Sequence, residues 1–363
     1  MAAPLLVASL AARGFRNLAP LVLRPGPRFN VLFGDNGQGK SSVLEALRYL
    51  SALESFRGGK VEDLVQVGQD RAEIAMTLAR RPLDTTLAIQ LARRSPRQLS
   101  VDGKRPRTAL SWLALAPTVL FHPGELVLAQ GGPEGRRTLL DRVLTEMDPA
   151  YGAVLSDYLK ALRSRNRLLK AELPSRAAIA AFDPVLAEAG ATIVRARGEI
   201  VGQLAPRAAD AFARIVGERV PVSIRYRPRA SGDAAALRAL LAASLPKDLA
   251  RGFTAEGPHA DDVELGVKAG SARQHASQGQ QRALVLALKI AELETLAERT
   301  GVIPILLLDD VGSELDAERS RRFFTLLSEL GGQVFLTTTR RDLVRVEGER
   351  ADLEVHEGEV VAV

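Results

Sequence analysis

The chain has 363 residues, 46% hydrophobic and 25% charged, a globular composition long enough to bury a sizeable core. No apolar run approaches the roughly 18 residues of a membrane span, so no membrane partner is expected, and zero cysteines exclude disulfides, thiolate catalysis and Cys-based metal sites while fitting a reducing, cytoplasmic location. The charge balance, 49 − 43 = +6, rests on 41 Arg against 8 Lys and points to a polyanionic partner, although a GC-rich genome or heat adaptation leaves the same trace.

The opening segment, MAAPLLVASLAARGF, has no positive n-region before its apolar stretch and is expected to form a first strand rather than a signal peptide. A second strand-like run, PLVLRPGPRFNVLFG, leads into a glycine-rich loop. The helix that follows, SSVLEALRYLSAL, places Val43, Leu44, Leu47 and Leu50 at helical spacing. From Arg71 to Arg107 apolar and polar residues alternate, and the Asp102-Gly103 pair suggests a turn of antiparallel strands. Helical periodicity then runs from about Gly131 to Gly217, broken at Pro149, Pro174 and Pro184. Strands return at PVSIRYRP and DDVELGVKAG. The expected organisation is an α/β domain formed by 1–115 and 218–363, with a helical lobe inserted at 116–217.

The loop matches G-x-x-x-x-G-K-[ST] at Gly34, Gly39, Lys40 and Ser41. A glycine-rich turn after a strand points backbone N–H groups inward, and the next helix adds its N-terminal dipole; together they suit a di- or triphosphate. Lys40 would neutralise β- and γ-phosphate oxygens, and the Ser41 hydroxyl would be a Mg²⁺ ligand. A chance match in a glycine-containing turn is the competing explanation. The flanking strand and helix, and the scarcity of lysine, count against it.

Near the other end, GVIPILLLDDVGSELD supplies a buried apolar strand, Ile303 to Leu308, that ends in Asp309 and Asp310. A carboxylate at the C-terminal tip of such a strand lies beside the phosphate loop of a parallel sheet. Asp309 would hold Mg²⁺ there, and Asp310 would polarise the attacking water. The two motifs are 309 − 40 = 269 positions apart, so something large is inserted between them. Within that interval Ser277, Gln278, Gly279 and Gln280 open another helix with hydroxyl and amide donors suited to phosphate oxygens. An ordinary N-cap explains such a serine equally well when it is taken alone.

The order GDNGQGKS, SQGQQ, LLLDDVGSELD resembles the head domains of ABC and SMC-type ATPases, as Walker A, signature, Walker B and, at 313–316, the D-loop. RGFRN at 13–17, GGPEGRR at 131–137 and EGPHADD at 256–262 narrow the resemblance to the RecF family of DNA replication and repair proteins, over about residues 10–340. The resemblance implies an SMC-like P-loop ATPase head, a mixed sheet with helices, in which a short helical lobe replaces the long coiled coil. It implies ATP and Mg²⁺ as ligands, with Arg16, Gly34, Asn36, Gly37 and Gln38 contacting the nucleotide together with Gly39, Lys40, Ser41 and Ser42. It also implies slow, DNA-stimulated hydrolysis using Lys40 and Asp310, and an ATP-dependent homodimer in which residues 277–280 of one copy close on the other copy's nucleotide. The implied partners are double-stranded DNA at gaps or junctions, RecR and RecO, in loading a recombinase on single strands.

Several positions depart from the ABC pattern. Asp310 stands where many such heads carry Glu, FHPGEL lacks the glutamine of a Q-loop, and FLTTTR at 335–340 has threonines in place of a switch histidine. In EGPHADD, Ala260 occupies a position where Arg is expected, and His259, Asp261 and Asp262 also fit a plain helix-to-strand turn. The transporter ATPase subunits share all three motifs, yet usually carry the Glu and His that are missing here. An SMC-like nuclease would need an acidic metal-binding domain, for which the roughly 50 residues after the Walker B strand leave no room.

For DNA contact the candidates are Arg163, Arg165 and Arg167 in KALRSRNRLLK, and Arg93 and Arg94 in RRSPRQLSVDGKRPR. A solvated face explains either run as simply. Aromatic residues make up only 4% of the chain, which disfavours stacking on unpaired bases and leaves a duplex backbone as the expected target.

Overall fold

The apolar runs become the middle of a six-stranded sheet, ordered 359–362, 350–356, 29–33, 334–338, 305–308 and 118–121. The structure, a computed structural model, describes residues 2–79, 83–268 and 270–363, with the side chains of Ser313 and Glu314 outside the description. Neighbouring strands are parallel except for the pair 350–356 and 359–362. Thr118–Phe121, Ile305–Leu308 and Val334–Thr338 are buried at every position, as a parallel sheet covered on both faces requires.

The alternating segments form a five-stranded antiparallel sheet, ordered 21–23, 6–13, 71–79, 85–92 and 95–101. Along Arg71–Ala79 exposed and buried residues alternate, so one face meets the core and the other meets water. The last two strands join through Arg93 and Arg94. Asp102 (φ 50°) and Gly103 (φ 77°) form a tight turn after the last strand, in the left-handed conformations that an Asp-Gly turn favours. The expected turn therefore forms, but it follows the hairpin instead of making it.

Helix Lys40–Ala52 begins at the glycine-rich loop and is buried along nearly its whole length. Leu44, Leu47 and Leu50 are at most 1% exposed, and burial of each contributes about 2 kcal/mol. Two polar ties fix the helix against its surroundings. Arg48 donates to Thr118 O at 3.0 Å and to Thr118 Oγ1 at 2.7 Å, and Trp112 Nε1 donates to Leu50 O at 2.8 Å.

The chain divides into two units, and the division corrects the expected 116–217 lobe. One unit holds the chain up to Leu126, Asp210–Val220 and Ser277–Val363; the other holds Val127–Ala209 and Pro221–Ala276. Residues 118–121 pair with 305–308 in the parallel sheet, so they stay with the first unit. Val222–Arg227 pairs antiparallel with Asp262–Val267, which draws 221–276 into the second. Helical periodicity locates helices, but strand partnership over long separations assigns a segment to a body.

In the second unit Pro149 and Pro184 lie in the first turns of helices Pro149–Leu169 and Asp183–Val216, where a missing N–H costs nothing. The latter helix contains a stretch long and apolar enough to cross a membrane. Its Leu186, Ile193, Ile200 and Leu204 are at most 2% exposed, whereas Glu188, Arg195 and Glu199 face solvent, the stripe of a core helix.

Two sequence readings are settled by burial in this unit. Arg165 is fully buried; it donates to Asp183 Oδ1 at 3.1 Å, to Asp248 Oδ2 at 2.8 Å and to Thr254 Oγ1 at 2.8 Å. It cannot serve as the expected DNA contact, because no phosphate reaches it without unfolding the unit. The segment EGPHADD is likewise structural. Asp261 is fully buried and accepts from the Tyr226 hydroxyl and from Arg229 N, and the His259 ring lies between the Tyr158 hydroxyl (2.6 Å) and Thr254 O (2.9 Å). Burial pushes His259 below its ordinary value and Tyr158 above its own, so both stay neutral in this network. Residues 256–262 contain a short 3₁₀ segment, Pro258–Ala260, and lead into strand Asp262–Val267.

Candidate functional site

Strand Phe29–Phe33 delivers the chain to Gly34, whose φ of 143° and contacts admit only glycine: a Cβ there would stand 2.3 Å from Val355 O. Gly37 (φ 83°) and Gly39 (φ 115°) continue the loop in conformations that other residues rarely adopt. The loop curls around the Lys40 ammonium, which donates to Gly34 O and Asp35 O, both at 2.6 Å. Burial pulls Lys40 below the usual lysine range, opposed by the charges of Asp310, Asp309 and Asp35.

Beside this loop opens a cleft of about 510 Å³. Asn36, Gly37, Gly39, Lys40, Ser41 and Ser42 line it together with Asp309 and Asp310. Asp309 sits at the C-terminal tip of strand Ile305–Leu308 and is only 9% exposed. Its Oδ1 accepts from Ser41 Oγ at 2.8 Å and from Thr337 Oγ1 at 2.7 Å. The same Thr337 hydroxyl accepts from Asp310 N at 3.0 Å, and Asp310 adopts a left-handed φ of 52°, uncommon for a non-glycine residue. One hydroxyl thus ties the Asp309 carboxylate to the backbone of Asp310.

Two of the expected nucleotide residues play different parts. Gln38 turns away from the cleft: its Oε1 accepts from Glu357 N at 2.6 Å, and its carbonyl accepts from Gly358 N at 2.9 Å. It shapes the loop by anchoring it. Arg16 lines the cleft while its guanidinium forks onto Glu45, at 2.9 and 2.6 Å, and donates to Asp63 O at 2.8 Å. Glu45 is fully buried, so Arg16 is held rigidly with its remaining donors free to meet an anion.

Sequence reasoning missed several lining residues. Asn17 bridges Gly37 O (2.9 Å) and Ser42 Oγ (2.7 Å), and it was visible inside RGFRN. Arg57, half exposed and 3.6 Å from the buried Glu45, carried no signal in the sequence; neither did Asp63, nor Val65 and Val67, which extend the cleft with an apolar patch. Thr337 and Thr339 were visible only as a missing histidine.

The residues expected to act in a second copy do lie apart. Ser277 caps helix Gln278–Thr300 by a reciprocal box, with its Oγ accepting from Gln280 N and its N–H donating to Gln280 Oε1. Ser277 and Gln278 are exposed, and none of residues 277–280 lines this chain's own cleft. In the D-loop Asp316 caps helix Ala317–Glu329, and the side chains of Ser313 and Glu314 lie outside the described residues. Arg93 is partly engaged: its Nε donates to Gln69 O and its Nη2 to Val65 O and Gln66 O, at 2.9 to 3.1 Å, which pins the guanidinium to the neighbouring loop. Arg94, Arg163 and Arg167 are exposed.

A family model described as the RecF/RecN/SMC N terminal domain matches residues 6–359. The DNA replication and repair protein RecF of Myxococcus xanthus (strain DK1622) is 40% identical, over 97% of this chain and 96% of its own length. The chain belongs to the RecF family. A second RecF, from Anaeromyxobacter sp. (strain Fw109-5), is 42% identical over 93% of each chain. Among solved structures, the recombination mediator protein RecF with ATP, of the RecFOR pathway, superposes with a TM-score of 0.91 at 30% identity, covering 100% of this chain and 99% of that one. The Smc head domain from Pyrococcus furiosus, 16% identical with a TM-score of 0.61, shares the fold. The expected SMC-like head is therefore the fold of this chain, and a RecF-family DNA replication and repair protein is its class, which sets aside the transporter reading.

The donor set of the cleft also fits a divalent hard cation. Ser41 and Asp309 present only oxygen, and both belong to one hydrogen-bonded unit beside a loop shaped for phosphate.

Proposed function

We propose that this chain is an ATP-gated DNA-binding protein of recombinational repair and replication, acting in the cytoplasm as a homodimer that ATP holds together. The observation that carries this reading is the union of Lys40, Ser41, Asp309 and Asp310 in one cleft while residues 277–280 lie outside it, with Ser277 and Gln278 exposed. ATP would lie with its phosphates over the loop from Asn36 to Ser42, with Arg16 nearby. Mg²⁺, held by Ser41 and Asp309, would neutralise charge between the phosphates. The exposed signature of a second copy would close on that nucleotide. Because the γ-phosphate then touches two protomers, ATP binds the closed dimer better than the open chain, and only such a difference shifts the equilibrium. Turning a 1:99 mixture into 99:1 needs about 5.5 kcal/mol of differential binding.

The closed dimer would bind duplex DNA at gaps or junctions and, with RecR and RecO, promote recombinase loading on single strands. Hydrolysis would reset it slowly. Asp310 is one methylene shorter than the usual Glu, which places its carboxylate further from an attacking water. The test is duplex binding and oligomer mass measured with ATP, with ADP and without nucleotide. We expect a duplex-bound dimer with ATP alone; equal duplex binding in all three states would remove ATP gating.

Thr337 has a measurable part in this scheme. Thr337→Val keeps the volume of a side chain only 2% exposed, but removes the hydroxyl shared by Asp309 and Asp310. The ATP turnover number should fall about tenfold or more, as expected when a metal ligand loses its orientation and the backbone that carries the general base loses an anchor. ATP affinity should change little, and Thr337→Ser should restore turnover. Steady-state ATPase assays separate these effects, and unchanged turnover in Thr337→Val would exclude the positioning role.

A further inference from the structure

A surface cavity of about 610 Å³ lies wholly within the second unit and shares no residue with the nucleotide cleft. Part of its wall is the solvent face of strands Val222–Arg227 and Asp262–Val267, where Ser223 and Arg225 stand opposite Gly266 and Glu264. GGPEGRR supplies another part. Its Gly131, Gly132, Pro133 and Arg136 line the cavity, so a motif that the nucleotide cleft leaves unused has a place here.

The charges around this cavity do not balance. Arg136, Arg225, Lys268 and Arg273 face Asp262 and Glu264, giving 4 − 2 = +2. Both acids are already engaged: Asp262 receives the fork of Arg136 at 2.9 and 3.1 Å, and Glu264 receives Arg227 at 2.8 Å. Arg225 and Lys268 are exposed and, among the described residues, make no ion pair. The hydroxyls of Ser223 and Ser271 add neutral donors. Among the described residues no aromatic side chain lines the wall, so these residues offer nothing on which an unpaired base could stack.

We propose that this cavity is a contact for the phosphodiester backbone of duplex DNA, with Arg225 and Lys268 as its principal cations. The inference rests on the DNA-binding reading above and locates it on the second unit, where Arg165 is buried and unable to serve. Exposed guanidinium and ammonium groups beside hydroxyls suit phosphate oxygens, and they position a duplex without reading its sequence. An acidic protein segment would also be drawn to the surplus charge, but guanidinium, ammonium and hydroxyl donors spread along one strand face and its flanking turn suit the repeated phosphates of a duplex backbone.

The test uses the full chain with ATP and a short fluorescein-labelled duplex, and follows affinity against salt concentration. Each phosphate contact adds about 0.9 to the slope of log affinity against log salt, so Arg225→Gln with Lys268→Gln should lower that slope by about two, equally for duplexes of unrelated sequence. ATP binding should be unchanged, which shows that the double variant is folded. A control with Arg176→Gln and Arg251→Gln, two exposed arginines of the same unit outside the cavity, should keep the wild-type slope. If the wild type binds duplex and the cavity variant keeps its slope, the cavity is not the contact, although the DNA-binding reading stands. Equal loss in the control would also overturn the proposal, since a general field and not this cavity would then be acting. Wild-type affinity for duplex together with lost affinity for an acidic peptide would make the cavity a protein contact instead. A wild type that binds no duplex in any nucleotide state would overturn the DNA-binding reading itself, and this inference with it.

Discussion

Lys40→Met is expected to abolish ATP binding, and with it the ATP dimer and duplex binding. In the proposed ATP site the Lys40 ammonium, fixed by Gly34 O and Asp35 O at 2.6 Å each, would be the loop's own cation for the phosphates. Charge-assisted hydrogen bonds to a bound anion contribute about 1.5 to 3 kcal/mol apiece, and Lys40 would make more than one with a triphosphate. A loss of about 3 kcal/mol lowers affinity by roughly a hundredfold. Methionine matches the length of the stem at a site only 8% exposed, so packing should survive. Titration calorimetry with ATP measures the affinity, and circular dichroism checks the fold. A well-folded Lys40→Met chain that binds ATP as the wild type does would contradict the assignment of this cleft.

The second large effect comes from mixing two inactive chains. Ser277→Arg places a long cation at an exposed helix start, where a partner's γ-phosphate would otherwise approach a hydroxyl and backbone N–H groups. Since residues 277–280 do not line their own chain's cleft, this variant should still bind ATP but fail to close a dimer over it. Lys40→Met fails for the opposite reason, because it has an intact signature and no nucleotide. In the mixed dimer the intact loop of one chain meets the intact signature of the other, so one whole site is rebuilt and the remaining site is doubly broken. Partial recovery of ATPase activity or of ATP-dependent association on mixing is the expected result. If Ser277→Arg alone lost ATP affinity as severely as Lys40→Met, the signature would serve its own chain and the proposed arrangement would fail.

Much of the nucleotide site was legible because its chemistry is local. Gly34, Gly39, Lys40 and Ser41 form a loop whose spacing alone sets backbone direction, and the strand before and helix after them are equally plain. Asp309 was legible as the polar end of an apolar run. Its bond to Ser41, 268 positions away, follows once the strands carrying the two are placed two apart in a parallel sheet. Arg57 and Val67 were not legible, since a side chain beyond the core of a motif has no periodic signature.

The arginines show the limit most clearly. Arg163, Arg165 and Arg167 are alike in sequence, and a charge run does not say which member turns inward. On helix Pro149–Leu169 the middle one faces Asp183 and Asp248 and is fully buried, while its neighbours, about 200° away around the helix, face water. The lobe boundary failed in the same manner, because Val222–Arg227 is a strand by its own pattern but belongs to the second unit only through its pairing with Asp262–Val267.

By itself, then, the sequence determined the elements, the phosphate loop with its two acids, and the family. These depend on contacts between near neighbours or on motifs whose geometry a few residues enforce. Tertiary structure alone decided which arginines remain available to an anion, that Thr337 joins both acids, and where one unit yields to the other. Each of those is a meeting of side chains or strands far apart in the chain, and burial or long-range pairing, which no short window of sequence contains, selects among positions that are chemically identical until the chain has folded.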